Sequence, residues 1–127
     1  SLKGHSDADV ALHSLTDAIF GAIGDGDIGI HFPPTDMQWR GADSSKFLMY
    51  ALKRMRERGG RLNHVDITLI GENPKFSPYR EQFLASLETY LGIGRDRIGV
   101  KATTTEKLGF LGRGEGLAVQ ATATVIF

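Results

Sequence analysis

The stretch LAVQATATVIF, residues 117–127, alternates apolar and polar side chains with a period of two. Such alternation predicts a β-strand that is covered on one face and exposed on the other. The apolar face holds Leu117, Val119, Ala121, Ala123, Val125 and Phe127, and the polar face holds Gln120, Thr122 and Thr124. A sheet of this kind needs helices over its apolar face, which predicts an α+β or α/β domain.

The rest of the chain supplies those helices and two more strands. Helical spacing predicts three helices: Ser6, as N-cap, to about Ile23; Asp43 or Ser44 to about Arg58; and Ser77-Pro78 to Gly92. Strands are predicted over 65–70 and 98–104, and a long ordered loop over 24–41, which is rich in glycine, proline and aspartate. Three strands are fewer than small sheets usually have, so we expect the chain to be incomplete at its start.

Composition excludes several classes of function. The 127 residues fit one domain, and 15 basic residues balance 15 acidic ones, which argues against a nucleic-acid binder that relies on bulk charge. The absence of cysteine excludes disulfides and thiolate metal sites, and it suits a reducing cytoplasm. Apolar stretches are far shorter than the ~20 residues that span a bilayer, so no membrane partner is expected. The 16 glycines exceed the ~7% average and predict turns or close approaches of backbone to a ligand.

The first predicted helix carries Asp9, His13 and Asp17 at spacing i, i+4, i+8, so all three lie on one face. An imidazole beside carboxylates is a frequent arrangement at metal sites, because its second ring nitrogen needs an acceptor. Ordinary ion pairs on a solvated helix face have the same spacing. Zinc needs about three protein ligands at a catalytic site, so further ligands would have to come from elsewhere.

Two other segments have polar groups suited to phosphate. His5 and Ser6 lie at the predicted start of the first helix, where unpaired N–H groups attract anions. The alternative is a capped helix with an exposed histidine. Residues 103–105 are three threonines at the end of a predicted strand, and the following Glu106 could hold a hard cation that bridges phosphates. Threonine-rich strand ends are also common without any ligand.

Basic side chains are concentrated in the run KRMRER, residues 53–58. Their place at the end of a helix favours a solvated face that complements the helix dipole. A nucleic-acid patch is the alternative, but no tyrosine or tryptophan interleaves with the run to stack on bases. Arg113 stands between two glycines and either reaches an anion or belongs to a glycine hairpin.

Four stretches together carry a resemblance to a known family. They are GHSDADVALHSLTDAIFGAIGDGDIGIHFPPTD (4–36), GADSS (41–45), VDITLIGENPK (65–75) and VKATTTEKLGFLGRGEG (100–116). In this order they closely resemble the 2-C-methyl-D-erythritol 2,4-cyclodiphosphate synthases of the non-mevalonate isoprenoid pathway. The likeness runs from His5 to the end of the chain.

The resemblance implies a fold, an activity and partners. The fold would be α+β, an α/β sandwich whose mixed sheet has helices on one face, in a homotrimer with the sheets toward the three-fold axis and active sites between subunits. The activity would be a bacterial, cytoplasmic lyase reaction that converts 4-diphosphocytidyl-2-C-methyl-D-erythritol 2-phosphate to the cyclic diphosphate and CMP. A zinc ion and a Mg²⁺ or Mn²⁺ ion on the substrate diphosphate would assist. Fusion to, or association with, the cytidylyltransferase of the same pathway is left open by the sequence.

The resemblance also implies residue roles. His5 and Thr104 would stabilise the transition state, His13 would bind zinc, and Glu106 would bind the second metal. Substrate contacts would come from Ser6, Asp27, Ile28, Gly29, Phe32, Pro33, Pro34, Thr35, Asp36, Gly71, Pro74, Lys75, Phe76, Ser77, Thr103, Thr105, Phe110 and Arg113. Among these, Asp27 and Gly29 would contact the ribose, and the cytosine pocket would be lined by Gly71, Pro74, Lys75, Phe76 and Ser77. From the helical spacing we infer that Asp9 and Asp17 support the ligand His13 and do not bind the metal themselves.

Two departures from the family pattern keep a second reading open. The family supplies its other two zinc ligands from an Asp-x-His segment ahead of the first helix, and nothing in these 127 residues matches it. Pro34 stands where the family has an aspartate, so the substrate loop lacks that carboxylate. The alternative is therefore a CMP-binding module without catalysis. A domain that binds RNA or protein through the basic helix is a third reading, and the zero net charge counts against it.

Overall fold

A three-stranded mixed sheet organises the part of the chain that the computed structural model describes: residues 2–33, 43–71, 77–104, 106, 108–109 and 117–127, with side chains from Ser6 onward. The central strand β1 (Arg61–Ile70) pairs in parallel with β2 (Ile98–Thr103) and antiparallel with β3 (Ala118–Ile126). Ile70 pairs with both Thr103 and Ala118. The ends of β1 and β2 and the start of β3 therefore meet at one end of the sheet.

Among the residues that the structure describes, four α-helices accompany the sheet: α1 (Leu2–Ala22), the single turn α2 (Ile28–His31), α3 (Ser44–Glu57) and α4 (Arg80–Leu91). The larger three cover one face, with α1 packed on β3 and α3, and α4 on β2. The fully buried side chains of this core include Leu15, Ile19, Phe20, Leu48, Leu52, Val65, Ile67, Leu69, Leu84 and Leu87. The predicted class, a mixed sheet with helices on one face, is confirmed.

A bulge explains why β1 is longer than the predicted strand 65–70. The register with β3 shifts between Leu62 and His64, which leaves Asn63 as the extra residue. Leu62 and Val65 consequently both face the core although they lie three positions apart. The alternation of apolar and polar residues breaks there, so the sequence pattern did not include the first half of the strand.

Helix starts differ from the prediction in two places. The first helix begins at Leu2, so Ser6 is not its N-cap, and His5 and Ser6 lie within the helix rather than at its start. Nothing in Leu2–His5 blocks helical backbone, and the local capping preference of Ser6 is outweighed. Ser77-Pro78 begins a 3-10 turn (Ser77–Tyr79), and α4 proper starts at Arg80 without a side-chain cap. Such turns commonly precede α-helices.

Other boundaries agree with the sequence. Asp43 caps α3 by accepting a hydrogen bond from the Ser45 N–H at 3.0 Å. Gly92 ends α4 in the left-handed conformation, with φ of 67°, which glycine adopts without strain. Phe127 is an exception on the predicted buried face, because β3 ends at Ile126 and its ring is 70% exposed. Within the described residues, no helix has both the length and the apolarity needed to cross a bilayer.

Candidate functional site

A groove of about 420 Å³ lies along α1 and the start of α3. Its lining side chains are Asp9, Val10, His13, Ser14, Asp17 and Ser44. The three residues predicted to share a helix face thus line one cavity, as their spacing requires. Val10, which helical spacing placed with the apolar residues of α1, is exposed in this groove rather than buried in the core.

His13 and Asp17 form the polar pair at the centre of the groove. His13 Nε2 lies 3.8 Å from Asp17 Oδ2, and the side chains are 58% and 40% exposed. An imidazole that is this accessible and this close to a carboxylate can bind a cation or a protonated oxygen from solvent. The residue after His13, Ser14, donates its hydroxyl proton to the Val119 carbonyl at 3.4 Å, which holds this part of α1 against β3.

Asp17 also connects the groove to the segment predicted to contact ribose. Its Oδ1 accepts the Ile28 backbone N–H at 2.8 Å. Asp27 caps the same short helix by accepting the Ile30 N–H at 3.0 Å, and its side chain is exposed. Through this contact at Ile28, residues 27–29 lie beside Asp17, so the structure brings together residues for which separate roles were predicted.

Ile28 and Phe32 lie in the core rather than in the groove. Both side chains are buried, and the Phe32 ring packs on Phe47 and Tyr50 with centroid distances of 4.7 and 5.0 Å. A substrate contact from these two positions would therefore come from backbone atoms. Pro33, the next residue, is exposed.

The turn between α1 and α2 contains an ion cluster that the sequence analysis missed. Asp25 accepts two hydrogen bonds from Arg54, from Nε at 2.8 Å and from Nη2 at 3.0 Å, and one from Arg58 Nη2 at 2.7 Å. Arg58 also donates to the Ile23 carbonyl at 2.5 Å. The basic run was predicted to be a solvated face, and the side chains of Arg54 and Arg58 are indeed 33% and 41% exposed, but the prediction did not include their ion pairs with Asp25. Only their i, i+4 spacing signalled a shared acidic partner.

The cluster stabilises Asp25 as a carboxylate. Hydrogen bonding from Arg54 is the main cause that lowers the pKa of Asp25, and the positive charges of Arg54 and Arg58 act in the same direction against partial desolvation. The same contact raises the pKa of Arg54. Asp25 is therefore ionised throughout the neutral range.

A second group of predicted residues lies at the end of the sheet. The Gly71 N–H donates to the Thr103 carbonyl at 3.1 Å, which joins the exits of β1 and β2. Thr104 Oγ1 accepts the Glu106 N–H at 3.2 Å, and Glu106 has a φ of 54°, unusual for a residue other than glycine. The side chains of Thr103, Thr104 and Glu106 are exposed. Local backbone strain of this kind concentrates at ligand sites.

The remaining predicted residues cannot be placed. Pro34, Thr35, Asp36, Pro74, Lys75, Phe76, Thr105, Phe110 and Arg113 lie outside the described residues, as do the side chains of His5 and Ser77. Ser6 is exposed near the start of α1. Ser44 lines the groove although no role was predicted for it, and the GADSS motif was the only signal in the sequence.

The described residues do not by themselves complete a zinc site. His13 is one suitable ligand, but no group of three or more histidine, aspartate or glutamate side chains within the described ranges is arranged to hold a metal ion. Zinc sites need three or four ligands, so additional ligands would have to join His13 from other residues.

Comparison with known proteins identifies the family of the chain. The model of the YgbB family matches residues 1–126. The bifunctional enzyme IspD/IspF of Bartonella tribocorum is 57% identical over 126 residues, which are 99% of this chain and 32% of that protein. The chain thus spans about a third of the length of the curated relatives it matches.

Solved structures give the same result. A 2C-methyl-D-erythritol-2,4-cyclodiphosphate synthase is 40% identical with a TM-score of 0.76, and the match covers 91% of this chain and 73% of that one. A CDP complex of IspF from Plasmodium falciparum is 33% identical with a TM-score of 0.77, over 91% of this chain and 69% of that one.

Proposed function

Because the chain belongs to the YgbB family, that of the 2-C-methyl-D-erythritol 2,4-cyclodiphosphate synthases, we propose that it carries out their cyclisation. The substrate is 4-diphosphocytidyl-2-C-methyl-D-erythritol 2-phosphate, and the products are the 2,4-cyclodiphosphate and CMP. The observation that carries the proposal is the groove in which His13 and Asp17 adjoin the Asp27–Gly29 segment. This arrangement supports the proposal, because a cation bound by His13 would lie beside a turn whose polar groups would bind a sugar hydroxyl.

The reaction is an intramolecular phosphoryl transfer. An oxygen of the 2-phosphate forms a bond to the β-phosphorus, and the bond from that phosphorus to the oxygen bridging the α-phosphate breaks. CMP leaves with the electron pair. No protein nucleophile is required, because catalysis of such transfers comes from in-line positioning and from neutralisation of phosphate charge.

The chain's own residues would divide these tasks. His5 and Thr104 would donate hydrogen bonds to phosphate oxygens as charge develops. Asp27 and the Gly29 backbone would hold the ribose hydroxyls, which suits a cap residue whose carboxylate has a second oxygen available for hydrogen bonding. Thr103 and Gly71, joined at the end of the sheet, would fix the edge of the cytosine pocket.

Two metal sites belong to the proposal. His13 would be one zinc ligand, and Asp9 and Asp17 would support His13 without binding the metal themselves. Glu106 would hold Mg²⁺ or Mn²⁺ at the substrate diphosphate. Metal ions at these places would neutralise phosphate charge and polarise the attacking oxygen. We expect Glu106→Gln to lower turnover about tenfold and to raise the Mg²⁺ concentration needed. The matched control is Glu88→Gln on α4, and equal kinetics for both variants would reject the role of Glu106.

Assembly is the third part of the proposal. The helices cover one face of the sheet, and the other carries the exposed polar residues of β3, so this face is available for contact between subunits around a three-fold axis. Light scattering should give about three times the mass of one chain. A clean monomer would contradict sites shared between subunits. The bifunctional names of the relatives support a link to the cytidylyltransferase, and we place the activity in the bacterial cytoplasm.

Phosphorus NMR tests the reaction directly. The substrate is incubated with the protein, Zn²⁺ and Mg²⁺, and we expect CMP and a cyclic diphosphate signal to appear. The incomplete ligand set around His13 favours one competing function, a CMP-binding module without catalysis. An unchanged spectrum together with calorimetric binding of CMP would establish that alternative.

A further inference from the structure

We infer that Asp25 is a positioning residue for nucleotide recognition: its ion cluster with Arg54 and Arg58 fixes the turn that presents Asp27 and Gly29 to the ribose. This inference rests on the proposed function, since Asp27 and Gly29 have their ribose role only there. Asp25 itself touches no substrate. It acts through the backbone that leads to Asp27.

The turn needs an anchor because glycines flank Asp25 on both sides. Gly24 and Gly26 have φ of 65° and 80°, in the left-handed region that glycine enters freely. Two such residues give an isolated peptide many alternative paths between α1 and α2. The path seen here is fixed at Asp25, whose backbone N–H donates to the Phe20 carbonyl at 2.8 Å.

The arginines fix the side chain of Asp25 from α3. They lie four residues apart, so one helix face directs both guanidinium groups at a single carboxylate. The paired hydrogen bonds from Arg54 define the orientation of the carboxylate as well as its distance. Asp25 is 10% exposed, so solvent screens these contacts much less than contacts at an open surface.

His31 closes the turn from its other end. Its Nε2 donates to the Asp25 carbonyl at 2.7 Å and lies 3.3 Å from Asp25 Oδ2. The ring stacks on Phe20 at a centroid distance of 4.4 Å and an interplanar angle of 13°. The start and end of the segment 25–31 are thus tied together, and Asp27, Ile28 and Gly29 lie between the two ties.

The mechanism predicts a loss of nucleotide affinity and selectivity rather than of chemistry. Asp25→Asn keeps the size of the side chain and removes the charge that both arginines share. In the natural protein that carries this sequence, we expect KM for the nucleotide substrate to rise about tenfold while kcat changes less than about threefold. Unmodified protein should bind CMP about tenfold more tightly than 2′-deoxy-CMP, and this ratio should fall about threefold in the variant.

Four further variants separate positioning from general destabilisation. Arg95→Gln removes a comparable ion cluster with Glu81 and Glu88 on α4, and it should leave KM and the CMP ratio unchanged. Arg54→Lys keeps the charge but loses the paired geometry, so its effect should be intermediate. Arg58→Gln replaces Asp25→Asn if the latter does not fold. In the double variant Asp25→Asn/Arg54→Gln, the effects on KM should not add, because both changes break one contact.

The outcomes distinguish the inference from the function on which it rests. Unchanged KM and an unchanged CMP ratio in Asp25→Asn, with normal turnover in unmodified protein, would overturn the positioning role and leave the cyclisation standing. Unmodified protein that neither cyclises the substrate nor binds CMP would overturn both. A change in KM and ratio confined to the Asp25, Arg54 and Arg58 variants supports the inference.

Discussion

Two histidines of this chain, His13 and His31, have opposite surroundings. His13 is 58% exposed in a groove, with Asp17 Oδ2 3.8 Å from its Nε2. His31 is 13% exposed, is stacked on Phe20, and donates its Nε2 proton to the Asp25 carbonyl. A carbonyl can only accept, so the proton of His31 is fixed on Nε2. The difference shows that the fold holds His31 in place through several contacts, whereas the His13 side chain stays accessible from the groove.

The same contrast separates the carboxylates behind them. Asp25 accepts three hydrogen bonds from arginines, so its carboxylate charge stabilises the fold. Asp17 receives one backbone N–H and keeps an oxygen directed toward His13 in the groove. Polar groups that are fully hydrogen-bonded to one another hold the backbone in place. Polar groups that face solvent with few partners still have hydrogen-bonding capacity for a ligand.

The largest expected effect is that of His13→Ala on metal binding and turnover. Loss of a residue that hydrogen-bonds to a metal ligand typically lowers metal affinity roughly 10- to 100-fold. Loss of the ligand itself should lower it further, so we expect divalent-metal binding at the groove and turnover to disappear. Metal content by mass spectrometry checks this, with His31→Gln as the comparison that should keep its metal. Full metal stoichiometry in His13→Ala would break the contrast between the two histidines.

Phe20→Ala tests the structural histidine. The ring is fully buried and stacks on His31, so its removal leaves a cavity and should lower the free energy of unfolding by about 3–5 kcal/mol. Urea denaturation measures the change. A loss below about 1 kcal/mol would show that the core around His31 collapses to fill the space.

Asp17→Asn sharpens the view of the groove. The amide retains an oxygen for the Ile28 N–H but loses the charge beside His13. We expect metal affinity to fall about 10- to 100-fold with little change in thermal stability. Calorimetric titration with Zn²⁺ gives the affinity. A variant that melts early with unchanged affinity would assign Asp17 to the fold instead.

The smallest expected effect is the change in the free energy of unfolding at acidic pH. The pKa of Asp25 is lowered chiefly by Arg54, so the contribution of the cluster to stability is complete above the unfolded value of about 4 and is lost as pH falls through the lower folded value. The stability difference between unmodified protein and Asp25→Asn should stay constant from pH 7 to about 5 and shrink below about 4. Urea unfolding over this pH range measures the stability difference. A difference as large at pH 2 as at pH 7 would refute the charge-based explanation.

The periodicity of apolar residues and the helix-capping residues were sufficient to predict most helices and strands of the fold. The alternation in residues 117–127 predicted β3, and the stripe of apolar residues in 43–58 predicted α3 with its Asp43 cap. The bulge at Asn63 was not predicted, because a bulge interrupts the alternation that marks a strand. The start at Leu2 was missed because a capping pattern at Ser6 is a local preference that neighbouring turns can override.

The site could be predicted only where its residues share one helix. Asp9, His13 and Asp17 are placed together by helical spacing alone, and the motifs 4–36 and 100–116 indicate the family. Only the tertiary structure decided that Asp17 reaches Ile28 over 11 positions and that Arg54 reaches Asp25 over 29. The sequence by itself determines periodicity and local caps, because these act within a few residues. Contacts between distant residues depend on how helices pack over the sheet, and that packing assigned one histidine to the core and the other to the groove.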